Sequence, residues 1–318
     1  MRVLVFIVCI AACLLALDFA AAEEVLVLRS DAGGQFNVRS NAQLSLTFEV
    51  AEDVQRVDVT IVDRNDTGIR ELSATRDEQI NQVTVLWDGK DHKGKTVPDE
   101  VYGIRARAYK GDEILAALDI VETDTRPVSL KGGVDQRGQF TTILNEPSRL
   151  QVRIGISGGP LLKTLYDWQA APKGKFVLPW DGYDQSKISY IAGNDKLKTL
   201  ILAKPLDQRM ILTYGNSPDR DTSDSAVSLK LNDATDSNAP ISVKVGDFKD
   251  AQRNSGDLFE VVFYINNQFV SEEERGYLPL DWNWNPVGIQ PGRHTVTVNL
   301  IGFGGDIRVG SMFLELPE

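Results

Sequence analysis

Five tryptophans, two histidines and 45 carboxylates are the side chains of this 318-residue sequence from which a binding or catalytic site could be built. Trp282 and Trp284 are separated by one residue, so in a strand both rings project to one face. Such a pair offers a stacking platform for sugar in a secreted module, with Trp168 and Tyr277 the next aromatics it would use. The ordinary alternative is that the pair fills or rims a core. Oxygen ligands cluster elsewhere: Asp219, Asp221 and Asp224 precede Asp233, Asp236 and Asn238. If these stretches meet, they could supply several of the roughly six to eight oxygens that Ca²⁺ requires, although Asp-rich loops are usually only solvated. Asp88 and Asp91 are a weaker calcium candidate, because the acidic loop spacing is incomplete.

Catalytic patterns are sparse. His92 lies among charged residues in a predicted turn and His294 opens a predicted strand, and neither has metal-ligand or nucleophile spacing. Gly302-Phe-Gly-Gly305 is too short for a phosphate loop and leads into no helix. A pair of carboxylates brought together by the fold would suffice for glycoside hydrolysis, which keeps a hydrolase as a third reading.

The elements that must position these residues are strands. Leu44-Ser-Leu-Thr-Phe-Glu-Val50, Tyr102-Gly-Ile-Arg-Ala-Arg-Ala108, Val261-Val-Phe-Tyr-Ile265 and His294-Thr-Val-Thr-Val-Asn-Leu300 alternate or are β-branched. Turn residues interrupt them at short intervals, as in Asp63-Arg-Asn-Asp-Thr-Gly68, Ser157-Gly-Gly-Pro160 and Pro291-Gly292. A unit is also repeated: Trp87-Asp88-Gly89 returns as Trp180-Asp181-Gly182, and the same offset carries Val57 to Leu150, Leu72 to Leu165 and Asp91 to Asp184. In such a tripeptide Trp fills a sandwich edge, Asp bonds nearby amides and Gly takes a positive φ. Unit starts resemble one another at Val25-Leu-Val-Leu-Arg29, Val128-Ser-Leu-Lys131 and Ala226-Val-Ser-Leu-Lys230. The polar stretches 122–127 and 216–224 read as short linkers. The expectation is therefore an all-β chain of three tandem immunoglobulin-like β-sandwich domains over 23–125, 126–224 and 225–318.

Residues 1–22 have the layout of a signal peptide: Met1-Arg2, an apolar run from Val3 to Leu17, and Ala20-Ala21-Ala22 before Glu23-Glu24. Both cysteines, Cys9 and Cys13, fall inside it, so the mature chain would be exported without disulfides, to the periplasm or outside the cell. Ile10-Ala11-Ala12-Cys13 also has the form of a lipoprotein box, which would anchor the chain by lipid at Cys13. The apolar stretch from Leu14 to Ala22 argues against it. No other stretch is long enough to span a membrane.

The run Val57-Asp-Val-Thr-Ile-Val-Asp63, Gly68-Ile-Arg-Glu-Leu72, Leu86-Trp-Asp-Gly-Lys-Asp91, Gly94-Lys-Thr-Val-Pro98 and Val101-Tyr102 resembles the Ig-like repeat of the flagellar hook-capping protein, the FlgD-type domain. The middle unit resembles a diverged copy that keeps Pro179-Trp-Asp-Gly182 and replaces the Gly-x-x-x-Pro segment with Ser186 to Gly193. The third unit, with Phe263-Tyr-Ile-Asn-Asn267 and Pro291 to Val298, is similar to a general bacterial Ig-like domain. The resemblance implies a scaffold or adhesion role and no catalytic activity.

Charge is uneven along the chain. There are 12 basic and 21 acidic residues in 23–125, 14 and 10 in 126–224, and 7 and 13 in 225–318, an acidic, basic, acidic series within the total of −11. Two acidic units and no basic-aromatic motif argue against nucleic acid. Lys163, Lys173, Lys175, Lys187, Lys196, Lys198 and Lys204 could present the middle unit to an acidic partner surface. The functional expectation is a non-catalytic structural, adhesive or complex-assembling protein of the bacterial surface, with a cell-envelope or extracellular protein as partner. A carbohydrate-binding accessory module acting on polysaccharide through Trp282 and Trp284 is the alternative.

Overall fold

The computed structural model describes residues 25–29, 35–40, 42–135, 138–216, 227–231, 241–245, 258–286 and 288–316. The expected export segment lies outside them, as do Asp219, Asp221, Asp224, Asp233, Asp236 and Asn238. Every regular element among the described residues is a strand, and no helix there is long and apolar enough to cross a membrane. Among the described residues six sheets surround three hydrophobic cores, the arrangement of tandem β-sandwiches.

The first unit contains β1 (Leu26–Leu28), β2 (Gln35–Asn37), β3 (Leu44–Val50), β4 (Arg56–Val62), β5 (Gly68–Thr75), β6 (Gln82–Trp87), β7 (Val101–Lys110) and β8 (Glu113–Ile120). One sheet runs β1-β3-β6, and the other places β5, β4, β7 and β8 side by side. Period-two alternation fixes which side chains enter: Leu46 and Phe48 from β3, Val57, Val59 and Ile61 from β4, and Val83, Val85 and Trp87 from β6 are all buried.

The middle unit contains β9 (Val128–Ser129), β10 (Gly132–Val134), β11 (Gln139–Leu144), β12 (Ser148–Ile156), β13 (Leu161–Ala171), β14 (Gly174–Pro179) and β15 (Leu197–Pro205). Its sheets run β10-β11-β14 and β13-β12-β15-β9 around Phe140, Leu150, Val152 and Ile154. The next strand, β16 (Ile211–Tyr214), leaves this unit. It pairs antiparallel with the start of β7 and parallel with β2, and Leu206, Met210, Ile211 and Leu212 are buried in the first core. Sequence places this strand in the middle unit because it precedes the polar stretch, but it completes the sheet of the first. Within the middle unit, β9 pairs with β15.

The third unit contains β17 (Leu229–Leu231), β18 (Ile241–Val245), β19 (Leu258–Ile265), β20 (Gln268–Tyr277), β21 (Leu280–Trp284), β22 (Gly292–Gly302) and β23 (Ile307–Leu316). Its sheets run β17-β18-β21 and β20-β19-β22-β23, around Val261, Phe263, Val296, Val298 and Leu300.

Candidate functional site

The two Trp-Asp-Gly turns have the same local construction. Trp87 Nε1 donates to the Lys90 carbonyl at 3.0 Å, and Trp180 Nε1 to the Tyr183 carbonyl at 2.9 Å. Asp88 and Asp181 each accept the amide two residues on, from Lys90 and Tyr183. Gly89 and Gly182 have φ of 72° and 83°, and their carbonyls accept from Val97 and Ile191. Both tryptophans are buried, and Trp87 packs against Phe36 and Tyr102. These side chains are used within the fold.

The repeat-related pair Asp91 and Asp184 diverges in environment. Each accepts two backbone amides through Oδ1: Lys93 and Lys95 for Asp91, Ile188 and Ser189 for Asp184. Asp91 faces water, and its pKa is lowered by the Lys95 amide, against a smaller opposing effect of burial. Asp184 is fully buried, its Oδ2 has no hydrogen-bond partner, and burial raises its pKa against the amides of Ile188 and Ser189. What covers it is the third unit. The Ser311 amide donates to Ser186 Oγ at 2.8 Å, and the buried Asn299 side chain accepts from the Leu161 amide and donates to the Leu161 carbonyl at 2.8 and 2.9 Å, imitating a strand pair. A Cβ on Gly159 would lie 2.9 Å from the Asn267 carbonyl oxygen. Arg153 is buried on the same side, its Nη2 4.0 Å from Asp167 and neither Nε nor Nη2 hydrogen-bonded; burial lowers its pKa, opposed by Asp167 and Asp306.

Between the first and middle units stands Arg149, whose side chain is 4% exposed. It donates to Glu122 at 2.8 and 2.6 Å and is paired with Glu100. Burial works against the charge, but the Glu122 bonds and the Glu100 charge outweigh it and raise the pKa. Lys204 Nζ bonds Asp124 at 2.6 Å and lies 5.1 Å from the Trp168 ring centroid. Thr213 Oγ1 donates to Pro98 O and accepts from the Glu100 amide. The sequence gives no warning of Arg149, because both carboxylates come from outside its own unit.

The candidate aromatics do not converge. Trp168 belongs to the middle unit, at a bulge of β13 with φ of 47°. Tyr277 is exposed at the end of β20, opposite Leu258. Trp282 and Trp284 do share a face, in a run of near-parallel rings: Phe263 to Trp282 at 4.2 Å and Trp282 to Trp284 at 5.7 Å, each pair inclined by 9°. Trp282 stands in the middle of this run and donates Nε1 to Ser271 Oγ at 2.8 Å, tying β21 to β20. Its ring faces are taken by its neighbours, so any stacking surface on offer belongs to Trp284. The rings floor an open groove of about 530 Å³ between β20 and β21, walled by Val270, Glu272, Glu273, Asp281 and Asn283. A second hollow of about 480 Å³ on the outer face of β4, β5 and β7 is lined by charges engaged locally, such as Arg107 with Asp119 and Asp58 with Ser73.

The lysines of the middle unit differ in their surroundings. Lys163 is buried, Lys204 is held by Asp124, the Lys173 carbonyl accepts from Gln35 of the first unit, and Lys187 follows Ser186 at the contact with the third. His294 is bonded by Asn266 and the Gln290 carbonyl. Among the described residues no group of three or more His, Cys, Asp or Glu could hold a metal.

No curated protein matches this chain. Among solved structures, a tetra-tandem repeat in the extending region of a large adhesion protein aligns at 13% identity and TM-score 0.21, covering 92% of this chain and 73% of that one. The dimeric latent PorU of Porphyromonas gingivalis aligns at 11% identity and TM-score 0.22, covering 92% of this chain and 34% of that one. The described residues are all-β and form tandem sandwiches, and residues 22–112 match the FlgD Ig-like domain.

Proposed function

We propose that this chain is an exported, non-catalytic structural element of the bacterial surface, which holds its sandwiches in a fixed arrangement and presents them to an envelope or extracellular protein. The observation that carries this reading is the crossing of β16, which follows the last strand of the middle unit, back into the sheet and core of the first. Such a crossing makes the first core depend on chain that follows the middle unit's strands, where a flexible linker would have sufficed. The buried charges Arg149, Arg153 and Asp184 stand at unit junctions and serve the arrangement. Matching Trp-Asp-Gly turns support reading the middle unit as a diverged second copy of the FlgD Ig-like domain. Cross-linking the tagged chain in its native envelope tests the role: one stoichiometric protein partner supports it, and turnover of a polysaccharide by the purified chain overturns it.

A further inference from the structure

We propose that the groove between β20 and β21 receives an extended, lysine- or arginine-bearing segment of the partner protein, added as a strand along the free edge of β21. The inference rests on the partner-docking role above and names its surface. Among the described residues the order β17-β18-β21 leaves the strand Leu280–Trp284 terminal, so one row of its backbone donors and acceptors faces outward there. Strand addition uses such a row for affinity and adjacent pockets for specificity. The pocket is present: Val270, Leu280 and the outer part of Trp284 offer apolar contact, and the Trp282 tie to Ser271 holds the two edges at a fixed separation.

Charge selects the occupant. Glu272, Glu273 and Glu274 are consecutive on β20, Asp281 stands on β21, and Arg275 is the one basic residue in the run. Glu273 pairs with Val261, a core residue of β19, so it belongs to the inward row, while Glu272 pairs with Val262 on the outer row; both carboxylates line the groove. Charges on an edge ordinarily protect it from pairing with another copy, because a second copy brings the same carboxylates. The same carboxylates favour a strand that carries cations, which can pair with Glu273 and Asp281 and lie over the Trp284 ring. Protection and selection are one device here.

The test uses the full chain and calorimetric titration with a capped heptapeptide alternating valine and lysine. Controls are its glutamate counterpart, a version N-methylated at alternate residues, and cellohexaose. The lysine peptide is expected to bind one per chain, to weaken as salt is raised, and to lose about tenfold or more in affinity in Trp284→Ala and in the surface variant Glu273→Lys. The N-methylated and glutamate peptides are expected not to bind. Binding by lysine and glutamate peptides alike, binding by neither, or binding by cellohexaose alone overturns the proposal. Retention of the envelope partner by Trp284→Ala and Glu273→Lys chains would overturn the groove as its seat while leaving the docking role intact.

Discussion

At the scale of single residues, the most informative comparison is between Asp91 and Asp184, which occupy the same place in the repeat and have their pKa values shifted in opposite directions. Asp184 has its pKa raised by burial, so its folded form holds the proton more tightly than the unfolded chain. Its contribution to stability is present below the unfolded carboxylate value of about 3.9 and is lost as pH rises through the folded value. Asp184→Asn is therefore expected to gain melting temperature relative to the parent at neutral pH and to lose that advantage near pH 4, as followed by thermal melts across pH. Asp91, lowered by the Lys95 amide, has the reverse sign: its small contribution is present at neutral pH and lost in acid. Arg149→Ala leaves Glu100 and Glu122 facing each other without their cation and is expected to cost about 3–5 kcal/mol in denaturant unfolding. The tryptophan pair was legible as a same-face pair from its spacing. That Trp282 is enclosed while Trp284 is the ring at the end of the run was not, because Phe263 comes from a strand of the other sheet.

At the scale of elements, the strands were legible because alternation with period two and β-branched residues mark them locally, and the Trp-Asp-Gly turns because each is closed by neighbours within a few residues. The partners of β16 were not. Ile211-Leu-Thr-Tyr214 reads as a strand wherever it pairs, and its placement is decided by the gap left beside β7 where β8 turns away. At that point a Cβ on Gly103 would lie 2.7 Å from the Ile120 carbonyl oxygen. Gly103→Val is accordingly expected to destabilise the first unit by about 1–3 kcal/mol, measured by chemical denaturation. Ile211 is fully buried in the first core. Ile211→Ala is expected to cost about 2–5 kcal/mol, with amide exchange accelerating in β3, β4 and β7 and not confined to the middle unit. Exchange confined to 126–205 would contradict the crossed pairing.

At the scale of the whole molecule, the charge series and the three cores describe two kinds of junction. The first and middle units are joined by the crossing strand β16 and a buried Arg149 cluster, which favours unfolding as one cooperative block. The middle and third meet through Asn299, Ser186 and a buried carboxylate with an unpaired oxygen, a contact of polar groups between separate sheets. A single high-temperature transition for the first two units, with the third melting apart from it, is the expected calorimetric profile. The two cysteines of the sequence lie at positions 9 and 13, so a chain starting at Glu23 accepts spin labels at chosen sites without interference. The most direct measurement is the distance distribution between labels at Leu86→Cys and Ile143→Cys, exposed positions on the first and middle units with 50% and 66% of their surface in water. A single narrow distance, unchanged by added solutes and broadened by Arg149→Ala, is the predicted result. A broad distribution in the parent chain would contradict a fixed arrangement held by β16 and the Arg149 cluster.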